Sequence, residues 1–196
     1  MTTVSVIVGS TRDSRFSSAP ANWIKHHLEQ REGLDVRLLD LRDFDLPFFD
    51  SAMLPGFPGR PAYENEHVRR WTEQIATSDA FVVATAEYNF GPPAVLKNAL
   101  DWVYPEWNRK PVSFVSWGSV GGARAVQQLR EIATELQMAT IRTAVHIPVG
   151  AIYAHFQGKT DEIEAALQAQ DDQAGRMIDD LLWWSHALKN ARTATV

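Results

Sequence analysis

The residues best equipped for chemistry stand close together near the start of the chain. Between Gly9 and Pro20 lie Ser10, Thr11, Arg12, Arg15, Ser17 and Ser18, a run of hydroxyl and guanidinium donors. A set of donors calls for an anion. Pro20 suits the first turn of a helix, where its missing N–H costs nothing, and a helix N-terminus offers free N–H groups and roughly half a unit of positive charge to a phosphate. Arg12 could add a two-pronged grip on that phosphate, and Arg15 either joins it or points to water. Ser17 or Ser18 could instead cap the helix. The stretch is neither a G-x-x-x-x-G-K-[ST] loop nor a G-x-G-x-x-G turn, so a mononucleotide phosphate is the expected ligand.

Two further loops carry matching features. Glu87-Tyr88-Asn89-Phe90-Gly91 offers aromatic faces, amide groups and exposed backbone. Trp117 to Gly122, with Gly118, Gly121 and Gly122, offers main-chain N–H groups with almost no side chains in the way. A flat heteroaromatic ring fits between them, with Tyr88 or Phe90 against its face and Gly121 and Gly122 admitting main-chain donors to its carbonyl edge. Glu87 is assigned contact rather than catalysis. His26, His27, His67, His146, His155 and His186 show no H-E-x-x-H spacing, so no metal site is expected, and Trp117 stands where a G-x-S-x-G elbow would need glycine before Ser119.

These loops must be held by regular elements. Val4 to Val8 is a short β-branched run that suits a strand buried on both faces. Ala19 to Arg31 reads as a helix closed by Gly33, and Asp35 to Leu41 as a second strand, which together make a parallel βαβ unit. Arg42 to Ala62 carries Pro47, Pro55, Pro58 and Pro61 among aromatic residues and reads as an ordered surface loop. Glu64 to Ser78 is helical, Phe81 to Ala84 a third strand, and a helix starts at the Gly91-Pro92-Pro93 step and runs to Trp102. Pro111 to Trp117 is a fourth strand, Ala123 to Leu136 a helix, and Thr140 to Ile147 a fifth strand. A loop from Pro148 to Gly158 and one helical region from Asp161 to Leu188 follow, with Trp183 and Trp184 in the core and a frayed tail after Ala191. Five strands alternating with helices describe one α/β domain, residues 1–196, with an open, doubly wound parallel sheet. Its ligand crevice lies beyond the carboxyl ends of the strands, where the loops after strands one, three and four converge. A planar ring plus a phosphate, held on a flavodoxin-like sheet, describes FMN.

Composition narrows the field. At 196 residues and 45% hydrophobic content the chain can bury one core. A formal charge of −5 with no dense Lys/Arg block argues against nucleic acid. Zero cysteines exclude disulfides and thiol chemistry. No run approaches a membrane span and no leader-like start is visible, so a soluble cytoplasmic protein is expected.

The string GSTR with Arg15 and Ser17, the block EYNFGPPAVLKNALDW and the later GSVGGARA resemble the NAD(P)H-dependent FMN reductase family of flavodoxin-like quinone and azo-compound reductases. The likeness runs from Val4 to about Ala125. It implies a three-layer sandwich with strand order 2-1-3-4-5. It also implies an FMN phosphate held by Ser10, Arg12, Ser17 and Ser18, an isoalloxazine lined by Glu87, Tyr88, Asn89 and Phe90, and a pyrimidine end met by Gly121 and Gly122. Two departures stand out: Ala86 replaces a usual proline, and Ser18 or Ala19 stands where asparagine is common. The implied activity is hydride transfer from NADPH or NADH to flavin and on to a quinone, azo compound or free flavin, with Arg60 or Arg124 as candidates for the 2′-phosphate. A homodimer or homotetramer is implied, with Trp102, Trp107 and the helix from Pro92 at an interface. Its aromatic residues give the loop from Asp43 to Pro61 a separate expectation, that it covers the site or an interface. The alternative is a flavodoxin-type electron carrier that binds FMN without nicotinamide-dependent activity, although such carriers are more acidic and use threonines where this chain has Arg12 and Arg15.

Overall fold

The computed structural model describes residues 1–194. Six parallel strands, β1 (Thr2–Val8), β2 (Leu34–Asp40), β3 (Ala80–Ala86), β4 (Pro111–Trp117), β5 (Ala139–Thr140) and β6 (Val145–Ile147), form one sheet in the order β2-β1-β3-β4-β5, with β6 also paired to β4. Seven α-helices flank it among the described residues: α1 (Ser18–Glu29), α2 (Glu66–Thr77), α3 (Ala94–Asp101), α4 (Ala123–Glu135), α5 (Val149–Phe156), α6 (Thr160–Gln168) and α7 (Asp171–Thr193).

Strand alternation builds a core on each face. Val4, Val6 and Val8 of β1, Val82 and Ala84 of β3 and Val115 of β4 join Ile24, Leu28, Met177 and Ile178 of α1 and α7. Ile7, Phe81, Val83, Val112 and Phe114 face the other way, onto Trp71, Ile75, Leu96 and Leu129 of α2, α3 and α4. Every residue of β3 and β4 is buried, as expected of central parallel strands covered on both sides. Strand order reverses between β1 and β3, so the crevice beyond their carboxyl ends lies there.

The structure corrects the sequence reading in several places. The expected fifth strand is two short ones. Between them the carbonyls of Ile141 and Arg142 accept from Arg130 and that of Thr143 accepts from Ser113 Oγ, so these groups leave the ladder. The expected loop from Pro148 to Gly158 is helix α5. Pro148 sits at its N-cap, Gly158 ends it at φ +70°, and Ala151 and Ala154 are buried, while Gly150 in the first turn disguises the pattern. The single helix expected from Asp161 is α6 and α7, separated at Ala169-Gln170. Helix α7 continues to Thr193, and the last two residues of the expected frayed tail lie outside the described residues.

Trp183 and Trp184 are not core: they are 65% and 43% exposed, because Ala174, Met177, Ile178 and Leu181 form the buried stripe of α7. Conversely, Trp102 and Trp107, expected at an interface, are 4% and 1% exposed. Trp102 is covered by the Pro-rich loop itself. Its indole N–H donates to Pro47 O at 2.8 Å, and the Phe49 and Tyr63 rings pack edge-on against it at 5.0 and 5.3 Å. Asn98 clamps the same loop by accepting from Phe49 N and donating to Pro47 O, both at 2.8 Å.

Candidate active site

Residues 9–18 leave β1 and enter α1 along the sheet edge. Gly9 is required by close approach: a Cβ there would stand 3.0 Å from Leu96 and 3.1 Å from the Ala84 carbonyl. From Thr11 to Ser17, no main-chain N–H finds an acceptor among the described residues. Ser17 occupies the N-cap of α1, yet its hydroxyl makes no capping bond; it is buried and has no partner. Arg15 Nε is likewise buried without an acceptor. Such a concentration of donors without protein partners at a helix N-terminus fits a phosphate group, whose oxygens accept from several of them.

A cleft of about 170 Å³ opens over these donors, lined by Ser10, Arg12, Arg15 and Ser17 at one end. Ala86, Glu87, Tyr88, Trp117, Gly118, Phe16, Ile152 and Phe156 line the rest. The cleft is therefore polar where a phosphate would sit and largely apolar and aromatic beyond it. Phe16 braces the wall, edge-on to Trp117 at 5.5 Å.

The expected site residues separate into distinct positions. Ser17 lines the cleft, whereas Ser18 is exposed and faces a groove between α1 and α6 on the far side of Phe16. Arg12 stands at the mouth, its guanidinium 5.7 Å from the Tyr88 ring centroid and 3.4 Å from the Tyr88 hydroxyl. Arg15 neither points to water nor stands free: it pairs with Asp40, its Nη1 2.7 Å from Oδ1, and donates to Ser10 O at 2.5 Å. Burial alone would raise the Asp40 carboxyl, but bonds from Arg15 and from Arg42 N outweigh it and hold the carboxyl below the usual aspartate value.

Tyr88 bridges two loops, its hydroxyl 3.2 Å from Ser10 Oγ. Asn89 and Phe90 form a two-residue turn, with mutual Tyr88–Gly91 backbone bonds and φ of +49° and +73°. A phenylalanine held at positive φ is rare and strained, a feature that concentrates at functional sites. Arg124 covers the Phe90 ring at 3.9 Å, and Gln128 donates to Phe90 O at 3.0 Å. Asn89 and Phe90 thus sit on the exposed rim.

Glu87 is not free to meet a ligand with its charge. Its carboxylate, 3% exposed, accepts from Arg124 Nε at 2.6 Å, Arg124 N at 3.0 Å and Ala125 N at 3.4 Å. Glu87 therefore caps α4 from another loop and fastens the β3 loop to the glycine loop. Arg124 and Arg60, the candidates for a 2′-phosphate, are both paired, with Glu87 and Glu106.

The glycine loop is shaped by packing. At Gly122, φ is +77° and a Cβ would fall 2.7 Å from Ser116 Cβ. Gly121, at φ +67°, abuts His146, and its carbonyl accepts from Ser116 Oγ at 2.8 Å. Gly118 lies over Glu87, where a Cβ would meet Glu87 Cβ at 2.9 Å. The Gly122 N–H has no backbone acceptor among the described residues, but Gly122 is buried, and of the three expected glycines only Gly118 lines the cleft.

Sequence reasoning missed Asp40 and Arg42 at the end of β2, and Phe16, Ile152 and Phe156 on the cleft wall. Charged residues at the carboxyl end of a strand beside the switch point were a usable signal for the first two. Ile152 and Phe156 became visible only with α5.

Comparison with known proteins agrees with this geometry. A family model described as NADPH-dependent FMN reductase matches residues 2–151. The chain is 40% identical over 138 residues to an NAD(P)H-dependent FMN reductase of Schizosaccharomyces pombe, spanning 70% of this chain and 68% of the relative. It is 32% identical over 145 residues to a 2-hydroxy-1,4-benzoquinone reductase of a Burkholderia species, spanning 69% and 72%. Among solved structures it resembles FerB of Paracoccus denitrificans, a flavoenzyme NAD(P)H:(acceptor) oxidoreductase, with TM-score 0.61 and 25% identity over 90% of this chain and 99% of that one. A cleft with a donor-rich end at the switch point of a 2-1-3-4-5 sheet, together with a match over residues 2–151, establishes that the chain belongs to the NADPH-dependent FMN reductase family.

Proposed function

We propose that this chain, acting as one FMN-binding domain over residues 1–196, catalyses hydride transfer from NADPH or NADH to flavin and onward to a small planar acceptor such as a quinone, azo compound or free flavin. The observation that carries the reading is the polarity of the cleft. The cleft joins the buried, unpartnered Ser17 hydroxyl and the N–H groups of its loop to a wall of Phe16, Trp117, Ile152 and Phe156, with the Tyr88 hydroxyl 3.2 Å from Ser10 Oγ linking the two.

FMN, when bound, supplies the two-electron chemistry. The protein's own groups do the rest. Ser10, Ser17 and the loop N–H groups would hold the phosphate, with Arg12 beside Tyr88 adding a charge. Tyr88 ties the phosphate loop to the β3 loop and would keep the two in fixed register around a bound cofactor. The Gly122 N–H, at the positive end of α4, would favour negative charge on the ring's carbonyl edge. Phe16, Trp117 and Phe156 exclude water from the inner face.

Absorbance of FMN-loaded, desalted protein, followed by NADH and NADPH oxidation with a quinone, tests the reading. Retained flavin and acceptor-dependent oxidation support it. Retained flavin without nicotinamide oxidation would instead make the chain an electron carrier, and no flavin retention would defeat both.

The assembly is a homodimer or homotetramer. Phe48, Leu54 and Phe57 of the Pro-rich loop, 80%, 67% and 58% exposed, support this, and light scattering of the wild type against Phe48→Glu tests it. No helix of the described residues is long and apolar enough to cross a membrane. A cytoplasmic location, where reduced nicotinamides are at hand, is checked by cell fractionation.

A further inference from the structure

Three consecutive carbonyls of the phosphate loop are held by guanidinium groups gathered at the end of β2. Ser10 O accepts from Arg15 Nη1 at 2.5 Å, Thr11 O from Arg42 Nε at 3.2 Å, and Arg12 O from Arg42 Nη2. Asp40 ties the two guanidinium groups together. Its carboxylate takes both Nη groups of Arg15 and also accepts from the Arg42 main-chain N–H at 3.0 Å. Asp40 and Arg42 stand one residue apart, where the chain leaves β2 for a single turn of 3-10 helix at Leu41–Asp43, and β2 pairs with β1 up to Val8. Asp40, the last residue of β2, thus anchors to the sheet a clamp whose two guanidinium groups come from the following turn, Arg42, and from the phosphate loop itself, Arg15.

Peptide planarity turns this clamp into a statement about the ligand. In a trans peptide the C=O and the next residue's N–H point in opposite directions. Drawing the carbonyls of Ser10, Thr11 and Arg12 toward the two guanidinium groups turns the N–H groups of Thr11, Arg12 and Asp13 away from them, and none of these has an acceptor among the described residues. A succession of N–H groups facing one way is an anion-binding concavity.

Neither side chain is well explained as surface decoration. Arg15 is 7% exposed at its side chain, and Arg42 makes two bonds to main-chain oxygens while its nearest carboxylate beyond Asp40, that of Asp13, lies 3.9 Å away.

We propose that Asp40 and Arg42 are positioning residues of the phosphate site: they fix the loop's carbonyls so that its N–H groups receive a phosphate monoester dianion. They select for the phosphate without touching it. This rests on the FMN reading of the cleft and goes beyond it by assigning phosphate selectivity to the end of a strand that borders the site.

The test compares FMN with riboflavin, which carries the same ring and no phosphate. Fluorescence titration of the full chain gives both affinities for the wild type, Arg42→Ala, Arg42→Lys and Asp40→Asn, with thermal midpoints measured alongside. The wild type should prefer FMN. Arg42→Ala and Asp40→Asn should weaken FMN roughly ten- to hundredfold, the range spanned by losing one or two charge-assisted bonds, and leave riboflavin within about twofold. Arg42→Lys should recover part of the preference. Equal losses for both ligands would mean a general structural role and overturn the proposal, as would an unchanged FMN preference. A wild type that binds the two ligands equally would instead overturn the phosphate reading itself.

Discussion

Removing the Glu87 carboxylate should unfasten the two loops that meet over the ring end of the cleft. That group is 97% buried by its side-chain exposure of 3% and accepts three N–H groups, two of them the orphan donors in the first turn of α4. Loss of a cap costs about 0.5–2 kcal/mol, and loss of a hydrogen bond to a charged group about 1.5–3. Arg124 keeps a 36% exposed side chain and can be rehydrated, so the larger penalty for stranding a buried charge does not apply in full. The expected cost of Glu87→Ala is therefore about 2–4 kcal/mol, and of Glu87→Gln, which keeps an acceptor for one N–H, about half that. At roughly 2–4 °C per kcal/mol for a domain of this size, Glu87→Ala should melt about 5–15 °C lower. Denaturant unfolding and calorimetry give both quantities, and a cycle with Arg124→Ala should return a coupling of about 1–3 kcal/mol. A Glu87→Ala variant within about 0.5 kcal/mol of wild type, or a coupling near zero, would refute the capping argument.

Ser17→Ala should separate stability from binding: the hydroxyl is buried and unpartnered, so its loss should leave stability unchanged or raised by up to about 1 kcal/mol, while FMN affinity in a titration falls about five- to tenfold. Lys110 offers a pH-dependent prediction. Its ammonium is buried, donates to Ile75 O and Ala76 O at the end of α2, and faces Asp79, Glu106 and Arg192. Burial, and then the Arg192 charge, push it from 10.5 down to about 8. Between those values the unfolded chain binds more protons than the folded one, so stability should rise with pH across that window, by up to about 3 kcal/mol relative to Lys110→Met. Parallel unfolding curves for the two proteins from pH 7 to pH 10 would exclude it.

Much of this protein is legible in its residue order because the physics involved is local. β-branched runs such as Val4 to Val8 and Pro111 to Trp117 mark strands buried on both faces, and the helices between them force parallel crossovers, hence the switch point. The donors from Ser10 to Ser17 and the turn at Asn89-Phe90 are contiguous stretches, so their chemistry can be read without knowing the fold. What failed was of two kinds. Helix α5 was hidden because Gly150 and Pro148 carry loop signals that burial of Ala151 and Ala154 overrides, and Trp183 and Trp184 were misplaced because a 23-residue helix leaves more than one apolar stripe to choose from. The second kind concerns partners distant in sequence. That Glu87 would be spent on capping α4, that Arg15 would be held by Asp40, and that Ser17 rather than Ser18 would face the cleft depend on contacts between segments up to 38 residues apart or on the rotation of α1 about its axis. Residue types alone determined that an anion and a flat ring could be bound at one sheet edge. Only the packing of β2, α4 and α5 around that edge decided which donors are left without partners, and those are the groups a ligand can use.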